Sequence, residues 1–161
     1  GVSTDFSKLI GKILLKNRDT QVVVICGKNR ALKHKLEIDY AEQEMVKILG
    51  YTENMREWMQ TADILITKAG GVTISEALAS NIPLILFNPV PGQEMENAIY
   101  FRKNGMAKIA KNLEEVLACL EELFFEDNIK KIKYNMIKNY LPHASYNICK
   151  DIMGILELNK A

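Results

Sequence analysis

The sequence predicts an α/β fold, a Rossmann-like three-layer domain built around a parallel sheet. Short apolar runs alternate with longer amphipathic segments along most of the chain, and glycine, asparagine or proline falls between them. Repeated strand-helix units of this kind form parallel sheets. Size is a third observation, because 161 residues with 48% hydrophobic and 25% charged side chains suit one domain with its own core. We therefore expect residues 1–161 to form a single domain.

The strands are expected where the short apolar runs lie, in residues 21–26, 45–50, 63–67, 83–87 and 107–110. The helices are expected in residues 4–16, 30–36 and 55–61, from near Thr73, in the gap between strands 83–87 and 107–110, and in 113–123, 127–140 and 145–158. The first helix precedes the first strand, whereas a doubly wound domain opens with a strand. We therefore expect either that an opening strand and its turn are missing from this segment or that the fold is trimmed at its edge.

Two asparagines are placed to cap helices. Asn54 and Glu57 have the spacing of an N-cap pair at the start of helix 55–61, and Asn112 directly precedes helix 113–123. Both helices are therefore expected to begin at these residues.

Composition excludes several classes of protein. A net charge of +1 argues against a nucleic-acid binder driven by electrostatics. The three cysteines, Cys26, Cys119 and Cys149, are widely spaced and form no CxxC pair, so neither a disulfide framework nor a metal site is expected. There is no apolar run long enough to cross a bilayer and no signal-peptide pattern at the amino end. We expect a cytoplasmic protein, with peripheral contact at the membrane face left open.

The loop KAGGVT, residues 68–73, is the first candidate site. Paired glycines after a strand let the backbone approach a ligand closely, and the following helix directs unpaired N–H groups at whatever binds there. A phosphate or diphosphate is the expected ligand. The alternative is a glycine turn that binds nothing. Lys68 is either a counter-ion for phosphate or a solvated lysine.

Thr73 and Glu76 in the same segment have two interpretations. Their T-x-x-E spacing is typical of a capping box, in which the glutamate hydrogen bonds back to the start of its own helix. Alternatively, the Glu76 carboxylate accepts hydrogen bonds from two ribose hydroxyls.

The loop NPVPGQEMEN, residues 88–97, is the second candidate site. It combines two prolines and a glycine with amide and carboxylate groups that can each engage two neighbouring oxygens, which suits the hydroxyls of a sugar. The alternative is a proline-stiffened loop in which Gln93 substitutes for an N-cap residue.

Together the two loops, in the pattern KAGGVTISEALASNIPLILFNPVPGQEMENA, resemble the donor-binding motif of family 28 glycosyltransferases of the GT-B fold. The resemblance is strongest to the diacylglycerol glucosyl- and galactosyltransferases and weaker to the lipid II N-acetylglucosaminyltransferase. It extends to ICGKN, residues 25–29, and LGYT, residues 49–52.

The resemblance implies a role for each matching residue. The diphosphate is expected at Gly70, Gly71, Val72 and Thr73, and the ribose is expected at Glu76. The uracil edge is expected at the backbone of Tyr51 and Thr52. The phosphates are also expected near Gly27, with Lys28 and Asn29 less strongly indicated. The sugar hydroxyls are expected at Gln93 and Glu94, in the loop that also contains Gly92.

The resemblance also implies that this chain is an excised carboxyl-terminal half. The amino-terminal domain, which binds a lipid acceptor such as diacylglycerol and supplies the catalytic base, has no counterpart here, so no catalytic residue is expected in residues 1–161. The UDP-sugar is a substrate and no cofactor is expected. Two alternatives remain open: a stand-alone nucleotide-sugar binding subunit, and a domain like that of UDP-N-acetylglucosamine 2-epimerase.

Three remaining features are expected to lie outside the site. His34 and His143 fall on polar surfaces away from the two loops. The lysine-rich segment 130–138 either rests on anionic lipid or packs Ile132, Met136 and Ile137 inward and solvates its lysines, and we expect the latter.

Overall fold

The computed structural model describes residues 2–16 and 19–158. Its elements in chain order are α1 (Val2–Lys16), β1 (Val22–Ile25), α2 (Arg30–Asp39), β2 (Val46–Leu49), α3 (Met55–Thr61), β3 (Leu65–Thr67), α4 (Gly71–Ala79), β4 (Leu84–Phe87), α5 (Gln93–Lys103), β5 (Ala107–Ala110), α6 (Leu113–Leu123), α7 (Glu126–Asn139) and α8 (Ala144–Leu158). Every expected strand and helix is present, and the α/β fold class is confirmed. The largest shift of a boundary is in α2, which continues three residues beyond its expected end at residue 36.

The strands pair differently from the expected single sheet. β1 and β2 form one parallel sheet, with Val22 opposite Val46, and β3, β4 and β5 form another, with Leu84 opposite both Leu65 and Ala107. This grouping is the one that remains when strand 1 is removed from the doubly wound order 3-2-1-4-5-6. An opening strand missing from between β1 and β3 would explain the division and stays a prediction.

The core lies around the three-stranded sheet. Leu84, Ile85 and Leu86 of β4 are fully buried. Helices on both sides cover them with small or aliphatic side chains, among them Leu9, Ile13, Ile74, Ala77, Ala98, Val116 and Leu120. The side chains of β1 and β2, by contrast, are at best half-buried.

The two expected caps differ in their bonding. Asn112 caps α6 as expected: its Oδ1 accepts from the Glu115 N–H at 2.9 Å, and Glu115 accepts in return from the Lys111 N–H at 2.9 Å. Asn54 is the N-cap of α3, but its side chain makes no cap hydrogen bond, so the expected pair with Glu57 is wrong. Thr52 Oγ1 instead accepts from the Asn54 N–H at 3.1 Å.

The lysine-rich helix α7 differs from expectation at one position. Ile132 and Met136 are buried, as expected, whereas Ile137 is 65% exposed. Residue 137 follows Met136 by one position and is therefore rotated by about 100° around the helix, away from the core.

Candidate functional site

The candidate site lies where α2, α4 and α5 begin. These helices follow β1, β3 and β4 directly, and the carboxyl ends of parallel strands lie at one edge of a sheet. The amino ends of α4 and α5, which attract anions, therefore lie at one edge of the three-stranded sheet, and the amino end of α2 lies at the corresponding edge of the two-stranded sheet.

The glycine pair opens α4. Gly70 is the N-cap, with φ −69° and ψ 135°, and Gly71 is the first helical residue. The N–H groups of residues 71–73 precede the first intrahelical hydrogen bond, which Ile74 N donates to Gly70 O at 3.1 Å. A Cβ on either glycine would have no atom within 4 Å, so the space in front of them is open. An anion can approach this backbone closely.

The capping-box interpretation of Thr73 and Glu76 is wrong. The helix begins two residues before Thr73, so this residue lies inside the first turn and is not the cap. Glu76 is exposed, and within residues 2–16 and 19–158 its carboxylate makes no hydrogen bond or ion pair. It is therefore available to a ligand on the α4 surface.

The second loop has a fixed backbone. Gly92 is the N-cap of α5 with φ +98°, a conformation that side chains other than glycine rarely adopt. Gln93 is exposed and is the first helical residue, so its expected alternative role as N-cap substitute is wrong. Glu94 Oε2 accepts from the Val90 N–H at 3.1 Å, which holds the carboxylate beside the loop.

Two hydrogen bonds join the first loop to the second. Lys68 Nζ donates to the Asn88 carbonyl at 2.9 Å, and Asn97 Nδ2 donates to the Ala69 carbonyl at 3.0 Å. The expected neighbourhood of the two loops is therefore present. Lys68 acts as a bridge between them in addition to contributing charge, and the role of Asn97 was not expected from the sequence.

A separate basic cleft lies at the ends of β1 and β2. It has a volume of about 490 Å³ and is lined by Gly27, Lys28, Arg30, Lys33, Gly50 and Tyr51. Gly27 has φ +56°, which lets the chain turn from β1 into the cleft wall. The sequence pointed to Gly27, Lys28 and Tyr51 but not to Arg30 and Lys33. These two residues lie on α2, and the sequence does not reveal which face of this helix lines the cleft.

The walls of the cleft are positively charged. The stem of Lys33 lies beside Gly50, where a Cβ would be 3.5 Å from the Lys33 Cδ, and its ammonium pairs with Glu37. Asn29, expected near the phosphates, caps α2 by accepting from the Leu32 N–H at 3.0 Å. Burial raises the pKa of the neighbouring Cys26 thiol, and Lys33 opposes this only in part. A raised pKa lowers the thiolate fraction, so this thiol is less reactive than that of a free cysteine.

Two further observations concern the described part of the chain. His34 and His143 are both exposed, as expected. No helix there is both long and apolar enough to cross a bilayer.

Comparison with known proteins identifies the family. Residues 4–150 match the glycosyltransferase family 28 C-terminal domain. The chain belongs to this family. It is 42% identical over 158 residues to the processive diacylglycerol beta-glucosyltransferase of Staphylococcus carnosus (strain TM300) and 40% identical over 158 residues to that of Staphylococcus haemolyticus (strain JCSC1435). These matches cover 98% of this chain and 40% of each relative, so the chain spans less than half of their length. The resemblance to family 28 is confirmed.

Solved structures confirm the Rossmann-like fold. The S. aureus MnaA–UDP co-structure has a TM-score of 0.79 at 15% identity, over 97% of this chain and 42% of that one. A putative UDP-N-acetylglucosamine 2-epimerase from Listeria monocytogenes has a TM-score of 0.70 at 14% identity, over 82% and 35%. A glycosyltransferase from Rickettsia africae ESF-5 has a TM-score of 0.65 at 20% identity, over 94% and 44%. At these identities the likeness concerns the fold and not the reaction.

Proposed function

We propose that this chain is the donor-binding domain of a hexosyltransferase, and that it holds a UDP-sugar whose hexose is passed to a lipid acceptor such as diacylglycerol. The observation that carries the proposal is the pair of loops joined by Lys68 and Asn97, which brings the open amino end of α4 beside the polar loop of α5. The names of the family relatives support glucose as the hexose and diacylglycerol as the acceptor.

Each part of the ligand has a proposed position. The diphosphate lies against the N–H groups of residues 71–73, the ribose against Glu76, and the hexose against Gln93 and Glu94 beside Gly92. The phosphates also face Gly27 and the basic cleft beside it, and the backbone of Tyr51 and Thr52 reads the uracil edge. The exposure of Glu76 and the open space before Gly70 support this arrangement.

The chemistry of transfer divides between this chain and a second domain. As the acceptor hydroxyl attacks the anomeric carbon, the bond to the diphosphate breaks and negative charge develops on the leaving group. The amino end of α4 stabilises that charge in place of a metal or cofactor, neither of which the proposal requires. The base that takes the hydroxyl proton belongs to an acceptor domain outside this chain, so the isolated chain binds nucleotide and transfers little. The complete enzyme works in the cytoplasm, at the membrane face where its acceptor lies.

A stand-alone binding subunit remains the second candidate. It has the same ligand site and receives its acceptor domain from another polypeptide. The epimerase alternative is supported only by the fold, whereas the glycosyltransferase proposal also has relatives at 40–42% identity.

Calorimetric titration of the chain with UDP, ADP and UDP-glucose tests the proposal. We expect UDP to bind, ADP to bind far more weakly, and Glu76→Ala to weaken UDP binding by about 1–3 kcal/mol through loss of the ribose contacts. Glu42→Ala is the matched control, since Glu42 is an exposed carboxylate before the opposite ends of the strands. Equal binding of ADP and UDP, or equal losses in the two variants, would overturn the proposed nucleotide site.

A further inference from the structure

The outer face of α7 combines basic and apolar side chains that no described part of the chain covers. Lys130, Tyr134 and Lys138 follow each other at intervals of four and therefore form one row, with Lys131 and Ile137 on either side. Ile132 and Met136 lie on the opposite side, in the core. We refer to this row, with its two neighbours and with Leu141 just beyond the helix, as the outer face of α7.

Charge is distributed unevenly along the chain. After Glu126 and Asp127 in the first turn of α7, residues 128–150 contain five lysines and no acidic residue, whereas the whole chain has a net charge of +1. The rest of the molecule is therefore net negative. Of the lysines on the outer face, only Lys130 has an ion-pair partner among the described residues, Glu126 at 2.6 Å. The outer face is thus basic beyond the first turn of α7, which carries Glu126 and Asp127.

The apolar side chains on this face are large and open to water. Tyr134 is 67% exposed, Ile137 is 65% exposed and Leu141 is 74% exposed. Tyrosine beside lysine is the composition of protein surfaces at a membrane interface, where the ring lies at the headgroups and the ammonium contacts lipid phosphates. A nucleic acid would satisfy the lysines but would leave Ile137 and Leu141 exposed.

We infer that the outer face of α7 rests on the surface of a bilayer that contains anionic phospholipid. Lys131 and Lys138 contact the phosphate headgroups while Ile137 and Leu141 enter the boundary with the acyl chains. The choice of a bilayer as partner rests on the proposed function, since a lipid acceptor lies there, but the contact itself requires no nucleotide. This contact would hold the donor-binding domain at the bilayer surface, where the hydroxyl of the lipid acceptor lies.

Sedimentation of the 161-residue chain with vesicles tests this inference. The vesicles are phosphatidylcholine with or without phosphatidylglycerol, and no nucleotide is present. We expect binding only to the anionic vesicles, with a loss of about fivefold in affinity for each lysine removed in Lys131→Gln and Lys138→Gln. The matched control is Lys8→Gln with Lys111→Gln, which removes the same charge from exposed positions elsewhere.

A second pair of variants separates lipid contact from simple charge attraction. Ile137→Ser with Leu141→Ser is expected to weaken binding to anionic vesicles, while Leu15→Ser with Ile38→Ser, at positions of similar exposure, is not. Circular dichroism checks that each variant is folded. Equal binding to both kinds of vesicle, equal losses in variants and controls, or no binding at all would overturn the inference. So would an RNA oligonucleotide that binds the chain more tightly than the anionic vesicles do.

UDP binding is measured separately from vesicle binding. UDP titration of the outer-face variants is expected to match that of the unsubstituted chain, because α7 contributes no residue to the candidate site. Failure of vesicle binding with intact UDP binding would refute the membrane contact and leave the proposed function standing.

Discussion

The two sheets of this molecule differ in how deeply they are buried. In the three-stranded sheet, the first three residues of β4 are inaccessible to water and are covered by helices on both sides. In the two-stranded sheet, β1 and β2 have half-buried and exposed side chains, and the basic cleft opens at their ends. From this difference in burial we expect the three-stranded sheet to supply most of the fold's stability, and we propose that the two-stranded sheet mainly supplies a surface for binding.

The largest expected effect comes from removing matched isoleucines from the two sheets. Ile85→Ala in β4 should lower the free energy of unfolding by about 2–5 kcal/mol, because the residue is fully buried and leaves a cavity. Ile48→Ala in β2 should cost no more than about 2 kcal/mol, because part of its side chain already contacts water. Urea unfolding of both variants measures the difference. Equal losses would show that the sheets contribute alike.

The sequence predicts the positions of strands and helices better than it predicts helix caps and strand pairing. Apolar runs locate strands because the side chains of a buried strand are apolar. Asn112 correctly predicts a cap because α6 begins at the residue directly after it. The same spacing misleads at Thr73, because Gly70 has already started α4. Strand pairing is not encoded in such local patterns, so the division into two sheets was not predicted.

The candidate site was predicted unevenly for a related reason. Gly70 and Gly92 lie in loops that follow strands, and Glu94 is in the first turn of the helix after such a loop, so all three are close to strand ends that the sequence reveals. Arg30, Lys33 and Asn97 lie on helices, and whether they face the site depends on how each helix packs.

The second prediction compares glycines in the two loops joined by Lys68 and Asn97. Gly92→Ala should destabilise the fold by about 1–3 kcal/mol, because φ +98° is strained for alanine. Gly71→Ala should leave stability unchanged or slightly raised, since it is helical and its added Cβ meets no atom within 4 Å. It should nevertheless weaken UDP binding, because that Cβ stands in the space proposed for the diphosphate. Thermal unfolding and UDP titration of both variants measure the two effects, and unchanged UDP binding by Gly71→Ala would place the diphosphate elsewhere.

The smallest expected effect concerns the positive charge of the cleft beside β1 and β2. Arg30 is the first residue of α2, where a cation is unfavourable because the helix amino end is itself positive. Its position therefore does not serve the helix and is better explained by an anionic ligand in the cleft. Arg30→Gln should weaken UDP binding by about 0.5–1 kcal/mol at low salt, and the loss should shrink as ionic strength rises.

Arg102→Gln is the control. It removes an exposed arginine from the last turn of α5, where a cation is favourable, and should leave UDP binding unchanged. Titration at two salt concentrations measures this, and a loss independent of salt would mean that Arg30 acts through shape and not through charge.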